Sequence, residues 1–518
     1  MNTSKLAKRI EGCSDEQFIL LGFQQGFALG VKDNPSLSQC SLRKGSPSQV
    51  LLDKLNSEVH KGRIIGPFLH KPLGLQISPL HVIPKPGSSK VRMIFNLSQP
   101  VGKSVNDNIL EARKPVKYCS VHEVGQHLLS FSHRKAWLAK VDLTDAYRMV
   151  PIRKRDWKYL GMAVNGRYFI DRMLPMGASS SCQLFQRISN SLKEMFYKYC
   201  PVEAQLFNYL DDFLFVAFSK ENCEVALHVF EELCQELNLP LAEHKTIPPC
   251  TLITFLGLGI NAQTLTLYIP HEKIKSSQEK LKKFLSKKKQ RVREWQSIAG
   301  SLNHLAQVVS AGRTFLGSVY GSLSGSSQTG SGYRKISSEV RQDLMVWNSL
   351  LAQNPERPFK ILDMASSTLP PLYTDASTSV GFGGMCGSKW FWGAWPRDRH
   401  NNIAVLELYP IVLGVYLLFK TATDNCINIY TDNKALVPVL NKLYSKDVTL
   451  RKLLRPLVAF LMTRNLAIVA HHISGEKNVG PDLLSRGKLA VFKDKFPHMA
   501  SYPISIPEEM KFENMKVS

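Results

Sequence analysis

Seven carboxylates fall into two constellations whose residue types and spacing suit metal-ion chemistry. The first is Asp142, Asp211 and Asp212. Asp142 ends the apolar run Ala139-Lys140-Val141 just before a turn. Asp211 and Asp212 stand between two apolar arms, Asn208-Tyr209-Leu210 and Phe213-Leu214-Phe215-Val216, which predict a β-hairpin with the acidic pair at its tip. Adjacent carboxylates at a tight turn repel, so they need either a compensating positive charge or exposure. An acidic pair in a turn is by itself commonly only a hairpin loop. Three carboxylates gathered at strand ends, with no His or Cys among them, form an oxygen donor set for hard ions such as Mg²⁺ rather than Zn²⁺. Such a set can hold two ions about 3.5–4 Å apart.

The second constellation is Asp375, Glu407, Asp432 and Asp482. Asp375 (Tyr373-Thr374-Asp375) and Asp432 (Tyr430-Thr431-Asp432) each end a strand, and Asp482 (Gly480-Pro481-Asp482) opens a helix. The helix dipole alone favours an aspartate at that last position. Glu407 is the most informative of the four. It interrupts the apolar run Ala404 to Phe419, where a carboxylate is costly unless it is paired or binds a metal.

These groups need at least two supporting domains. The chain has 518 residues, with 66 Lys+Arg against 42 Asp+Glu and a net charge of +24. Its apolar fraction of 44% fills several cores and excludes wholesale disorder. The basic surplus points to a polyanionic partner, nucleic acid before a membrane surface. No two of the ten cysteines stand at C-x-x-C spacing, so they read as small buried hydrophobes in a reducing compartment. The opening residues lack a signal-peptide apolar core, and Ile403 to Phe419 is shorter than a bilayer span. The expectation is a soluble, intracellular protein, cytoplasmic or nuclear, with no membrane partner.

Residues 1–45 read as an N-terminal lead-in. Residues 46–270 mix short strands with helices such as Glu221 to Leu237, which favours an α+β fold. Residues 271–365 form a basic connection. Within it, 271–295 predicts one or two basic amphipathic helices, 321–332 a Gly/Ser-rich linker and 335–365 a helical stretch. Residues 366–490 show strand–strand–strand–helix–strand–helix–helix–strand order from residue 372, an α/β layer. Residues 491–518 read as a loose C-terminal tail.

Several segments then stand in an order that resembles reverse transcriptases. Asp142 in Val-Asp-Leu-Thr-Asp-Ala-Tyr and Tyr209-Leu210-Asp211-Asp212 resemble that family's two metal-binding motifs. Ile83 to Ser98 resembles its fingers hairpin, with Lys85 and Arg92 at the two basic positions that hold an incoming triphosphate. A Gly/Ser turn between basic arms suits that task, and Arg can clamp phosphate with two hydrogen bonds. Tyr147 matches the aromatic under the sugar that selects deoxynucleotides. Leu174 to Phe185 resembles the motif under template and nucleotide, where Gly177 allows close backbone approach. Lys245 resembles the group that protonates pyrophosphate, and Thr254 to Gly259 resembles the primer-grip hairpin. Met176 and Cys182 depart from the commoner Gln or Phe and Pro. The form Leu-Pro-Met-Gly with Ser-x-Cys is similar to the DIRS group of retroelements, which encode a tyrosine recombinase.

The resemblance implies a right-hand polymerase of fingers, palm and thumb. It also implies a following ribonuclease H-like domain whose metal ligands fall on Asp375, Glu407, Asp432 and Asp482. His471 and His472 do not fall clearly on that family's auxiliary histidine and stay outside the catalytic set. The implied activities are RNA-directed DNA polymerisation and cleavage of the RNA strand in RNA–DNA hybrids, for retrotransposition. All seven carboxylates would be catalytic metal ligands, for two Mg²⁺ per site with Mn²⁺ as a substitute. Implied partners are an RNA template, a DNA primer, the hybrid and deoxynucleoside triphosphates; the oligomeric state stays open. The rival reading is a decayed or co-opted nucleic-acid-binding protein without activity. A telomerase-like or intron-type polymerase would lack the second acidic set.

Overall fold

The computed structural model describes residues 1–40, 49–84, 91–324, 332–353, 357–398, 400 and 402–515. The chain divides into two compact units, residues 1–120 with 133–253, and residues 121–132 with 254–518. The division falls earlier than residue 270 and joins the expected connection and α/β layer in one unit.

The first unit is built on a four-stranded antiparallel sheet. Its order is Ala204–Tyr209, Asp212–Ala217, Trp137–Asp142, Ile247–Cys250. The central strands are apolar because helices Ser181–Tyr199 and Lys220–Glu236 cover them. Phe196, Phe213, Phe215 and Phe230 interlock there at ring-centroid distances of 4.7 to 6.3 Å. Such aromatic contacts add packing specificity to the burial of their large apolar area.

The lead-in is not loose. Helices Thr3–Ile10 and Glu16–Gln25 dock on this core, with Leu6 and Ile10 buried. Arg9 makes a two-pronged ion pair with Glu236 at 2.8 and 2.7 Å, and Arg187 makes another with Asp15. The apolar positions of these helices are too few to announce the docking without their partners.

The second unit holds a five-stranded sheet ordered Lys389–Ala394, Gly381–Cys386, Leu372–Ala376, Asn425–Thr431, Leu466–His472. The first three strands are antiparallel and the last two pairings are parallel. Helices Ile403–Leu418 and Val448–Arg464 share its core. This is the strand and helix order expected from sequence. The Ile403–Leu418 helix is buried nearly all round, as its unbroken apolar run requires.

The basic segment forms the two helices allowed for, His271–Leu285 and Val292–Leu305, with a short strand Lys289–Arg291 between them. Two expectations need revision. The stretch 335–365 is helical only over Ser338–Gln353 and regains strand at Phe359–Lys360. The tail is not loose: the Ile504 N–H donates to the Trp390 carbonyl at 2.9 Å, and Phe512 is buried. Its anchors are a few aromatics among polar residues, a pattern with no period to betray burial. Most of the expected linker, 325–331, lies outside the described residues, and Gly317–Leu323 before it is helical. The ten cysteines are free thiols. No helix among the described residues is long and apolar enough to cross a membrane.

Candidate active sites

Asp142 and Asp212 face each other as direct cross-strand partners at the end of the first unit's sheet. Tyr209 pairs with Asp212, leaving Leu210-Asp211 as a two-residue turn. Leu210 has φ 54°, a left-handed conformation costly for a leucine, of order 1–3 kcal/mol. Helix Ser181–Tyr199 holds it there. Gln186 accepts from the Leu210 N–H at 2.9 Å, and Ser189 donates to the Leu210 carbonyl at 2.6 Å. The Asp211 carbonyl also accepts from the Leu143 N–H at 3.0 Å, tying the hairpin tip to the residue after Asp142.

The positive charge that the acidic pair needs comes from two lysines. Lys245 Nζ lies 2.6 Å from Asp142, and Lys140 Nζ lies 2.9 Å from Asp212. Burial raises the Asp211 carboxyl to about 6; Asp142 and Asp212 push the same way, against Lys245. The three aspartates thus share one electrostatic neighbourhood. Lys245 is engaged with Asp142 itself.

Tyr147 lies in the single turn Ala146–Met149, buried and stacked on Phe185 at 4.9 Å. Its hydroxyl contacts the Cys182 sulfur at 3.5 Å, which gives that departure from the family pattern a packing role. The turn is anchored by Arg148, which donates to Asp171 at 3.0 and 2.7 Å and to Glu58 at 3.0 Å. Sequence reading missed this buried triad; its members are 90 and 23 residues from Arg148. Replacing Arg148 by Met leaves the buried Asp171 carboxylate without a counter-charge, while Glu58 keeps Lys54 at 3.4 Å and Arg63 at 3.6 Å. We expect a loss of about 3–5 kcal/mol, measured as a lower urea midpoint; a change below about 1 kcal/mol would show the triad to be dispensable.

Gly177 has a more local reason than approach to a base pair. A Cβ there would run into the Phe95 carbonyl oxygen. Asn106 fixes the same loop, donating to the Gly177 carbonyl at 2.8 Å and accepting from the Ser179 N–H at 2.9 Å. Arg92 is exposed on strand Val91–Phe95, opposite Ile83 of strand Leu80–Pro84. Lys85 lies outside the described residues.

The second acidic set is tighter. Asp375, Glu407 and Asp432 offer carboxylate oxygens all within 4.8 Å of one another. Asp375 lies in strand Leu372–Ala376, Asp432 just past the end of the adjacent parallel strand Asn425–Thr431, and Glu407 in the helix covering them. Glu407 Oε2 is buried with no hydrogen-bond partner. Burial raises Glu407 to about 9, aided by Asp375 and Asp432. Burial also raises Asp375 to about 6, with Asp432 and Asp482 adding to the effect against Ser485. An orphaned buried carboxylate oxygen among like charges fits a hard divalent cation.

Asp482 is not within the 4.8 Å group. It sits in the first turn of helix Val479–Ser485 and pairs with Arg486 at 2.7 Å. Ser485 of that helix donates to Asp375 Oδ2 at 2.5 Å. Ser485 is three residues beyond Asp482, a helical spacing that could have flagged it. Gly383 lets the helix settle on the sheet, because a Cβ there would meet Leu484. His471 stacks on Tyr430 at 4.9 Å and bonds Asn428 at 3.0 Å, a structural role. His472 is exposed, and its charge lowers the Asp432 carboxyl against the dominant effect of burial.

The hairpin that resembles a primer grip turns at Leu256 and Gly257, both at positive φ. His304 Nε2 donates to the Leu256 carbonyl at 2.9 Å and Lys273 to the Gly257 carbonyl at 3.2 Å. Both residues come from the basic helices, and sequence reading singled out neither.

Comparison with known proteins bears on the segment that holds the first acidic set. Residues 83–260 match the family model "Reverse transcriptase (RNA-dependent DNA polymerase)", a span that contains Asp142, Asp211 and Asp212. The chain therefore carries a reverse transcriptase domain, of the kind found in retrotransposon polyproteins. It is similar to the Transposon Tf2-3 and Tf2-4 polyproteins of Schizosaccharomyces pombe, each 24% identical over 312 residues. That alignment covers 60% of this chain and 20% of each relative, so the chain spans about a fifth of their length. Among solved structures, a foamy viral protease-reverse transcriptase dRH in complex with ds DNA has a TM-score of 0.47 and 16% identity, covering 91% of this chain and 81% of that chain. A foamy viral protease-reverse transcriptase in complex with RNA/DNA hybrid has a TM-score of 0.45 and 15% identity, covering 90% and 62%. The second acidic set lies beyond the family match, which ends at residue 260.

Proposed function

We propose that this chain is an RNA-directed DNA polymerase that also cleaves the RNA strand of RNA–DNA hybrids, serving retrotransposition of a DIRS-like element. The observation that carries the polymerase reading is Asp142 opposite Asp212, beside a strained turn bearing Asp211, within a reverse transcriptase domain. Asp142, Asp211 and Asp212 would hold Mg²⁺, or Mn²⁺ in its place. When bound, the ion supplies Lewis-acid stabilisation of charge on the reacting phosphate oxygens. The chain's own residues do the positioning. Tyr147, clamped by Phe185 and the Arg148 triad, supports the deoxyribose, and Arg92 with Lys85 engages the triphosphate. Lys245, paired with Asp142, would give a proton to the departing pyrophosphate.

The second centre supports a ribonuclease H reading. Asp375, Glu407 and Asp432 form a preassembled oxygen donor set, and Asp482 stands on a helix locked to Asp375 through Ser485. A sheet of three antiparallel strands extended by two parallel ones, with Glu407 on the covering helix, suits that assignment. The partners would be an RNA template, a DNA primer, their hybrid and deoxynucleoside triphosphates, in the cytoplasm or nucleus. A non-catalytic nucleic-acid binder is less well supported, because all seven carboxylates are present and three of the second set lie within 4.8 Å of one another.

The deciding experiment incubates the purified chain with a labelled RNA template, a DNA primer, the four deoxynucleoside triphosphates and Mg²⁺. Both primer extension and shortening of the template are expected. Absence of extension with either Mg²⁺ or Mn²⁺ would refute the polymerase reading, and an intact template after full extension would refute the hydrolytic one.

A further inference from the structure

The second unit contains a small two-stranded ribbon that neither acidic centre uses. Lys289–Arg291 pairs antiparallel with Tyr333–Lys335, in the register Lys289 to Lys335, Gln290 to Arg334 and Arg291 to Tyr333. Alternation then divides the six side chains between two faces. Gln290 is buried, and it donates to the carbonyls of Lys283 and Phe284 at 3.1 and 2.9 Å. These are last-turn carbonyls of helix His271–Leu285, which lack intrahelical partners. Ile336, just beyond the ribbon, is buried and its N–H donates to the Lys288 carbonyl at 2.9 Å. Arg341 donates to the Leu285 and Lys287 carbonyls at 2.7 and 3.2 Å. The inner face is therefore fixed to the unit by polar contacts.

The outer face holds Lys289, Arg291, Tyr333 and Lys335, all exposed, with Tyr333 58% exposed. Lys289 Nζ lies 5.6 Å and the Arg291 guanidinium 5.7 Å from the centre of the Tyr333 ring. Arg291 Nε also donates to the Tyr333 hydroxyl at 3.0 Å. Lys287 and Lys288 precede the ribbon and Arg293 follows its first strand, all exposed. No carboxylate occupies any ribbon position; Glu294 is the acid that Arg291 senses. The Arg291 hydrogen bond and the charges of Lys287 and Lys289 hold the Tyr333 hydroxyl below its ordinary pKa, a local mark of positive potential.

A flat aromatic ring flanked by cations is a poor surface for a protein core. It suits a chain of phosphates with unpaired bases, because every base has a face that can stack and phosphates take Lys and Arg without regard to sequence. We propose that this ribbon is a binding site for single-stranded nucleic acid, with one base stacked on Tyr333 and the flanking phosphates on Lys289, Arg291 and Lys335. The inference extends the polymerase reading by giving an unpaired strand a rigid track on the second unit. It gives the exposed ribbon a share of this segment's charge surplus.

The test uses the full chain and a labelled single-stranded RNA of about 20 nucleotides, with a blunt DNA duplex of similar length as the second probe. In the variant combining Lys289→Ala, Arg291→Ala and Lys335→Ala, affinity for the single strand should fall. The slope of log affinity against log salt should shrink by about 2, since three phosphate contacts are lost. Tyr333→Ala should weaken single-strand binding about tenfold and leave duplex binding unchanged, whereas Tyr333→Phe should bind like the parent. Unchanged melting temperatures establish that these solvent-facing changes leave the fold intact. Parent-like affinity and salt slope in both alanine variants would overturn the proposal, as would an equal loss of duplex binding in Tyr333→Ala. Primer extension by the parent reports separately. A parent that binds through the ribbon but does not extend removes the polymerase reading alone, and a parent that extends while both variants bind normally removes the ribbon alone.

Discussion

Replacing Asp211 by Asn should abolish primer extension on an RNA template, by at least about 10³-fold or roughly 4 kcal/mol of barrier, while hybrid binding stays intact. The side chain is nearly isosteric, so the turn survives; what goes is the charge. Asp211 is well placed to matter because its carboxyl is raised to about 6, with burial the main cause and Asp142 and Asp212 adding to it. A lysine lies at each of the two flanking aspartates, 2.6 Å from Asp142 and 2.9 Å from Asp212. Asp211 is thus the carboxylate left to complete a divalent site. The assay is single-turnover extension with Mg²⁺, and hybrid cleavage should continue at the parent rate. Extension within tenfold of the parent would mean that chemistry occurs elsewhere.

The Glu407→Gln variant should lose hybrid cleavage and keep extension. It should also change how stability depends on pH. In the folded, metal-free chain Glu407 titrates at about 9, raised from its ordinary value of 4.5. Below the lower value both folded and unfolded forms are protonated and the group contributes nothing. Between the two values the unfolded chain ionises while the folded chain must keep the proton, so stability falls as pH rises and stops falling above about 9. The glutamine variant lacks that loss and should melt higher than the parent at pH 8 without metal. Mg²⁺ should reverse the ranking, since it stabilises only the ionised donor set. Binding of Mg²⁺ to the parent should release protons, seen in calorimetry as a heat that depends on the buffer. Identical melting curves for both proteins at pH 8, with and without Mg²⁺, would dismiss Glu407 as a ligand.

Three of the four residues expected at the second centre come together, and each of the three breaks a pattern in the sequence, while Asp482 stays outside the group. Glu407 interrupts an apolar helix, and Asp375 and Asp432 each end a strand after a buried threonine. The strand and helix order of that layer was also legible, since period-2 and period-3.6 runs alternate cleanly. What stayed hidden depends on distance along the chain. Arg148 finds Glu58 across 90 residues, and Ser485 finds Asp375 across 110. Neither polar pairing leaves a periodic trace. Gly177 was noticed, yet its reason was local: the Phe95 carbonyl occupies the space a side chain would need. The lead-in and tail were misjudged because their few apolar anchors acquire meaning only against partners far away in sequence. Lys245 was expected to meet pyrophosphate; in the structure it pairs with Asp142, sharing compensation of the acidic pocket with Lys140 at Asp212.

The far C-terminal segment bears on the helix that carries Glu407. Phe512 lies 5.1 Å from both Trp395 and Tyr409, and the Tyr409 hydroxyl donates to the Met510 carbonyl at 2.8 Å. Tyr409 stands two residues from Glu407 on one helix. Loss of the residues after the 490s would strip Phe512 from the helix that carries Glu407 while leaving all seven carboxylates in the sequence.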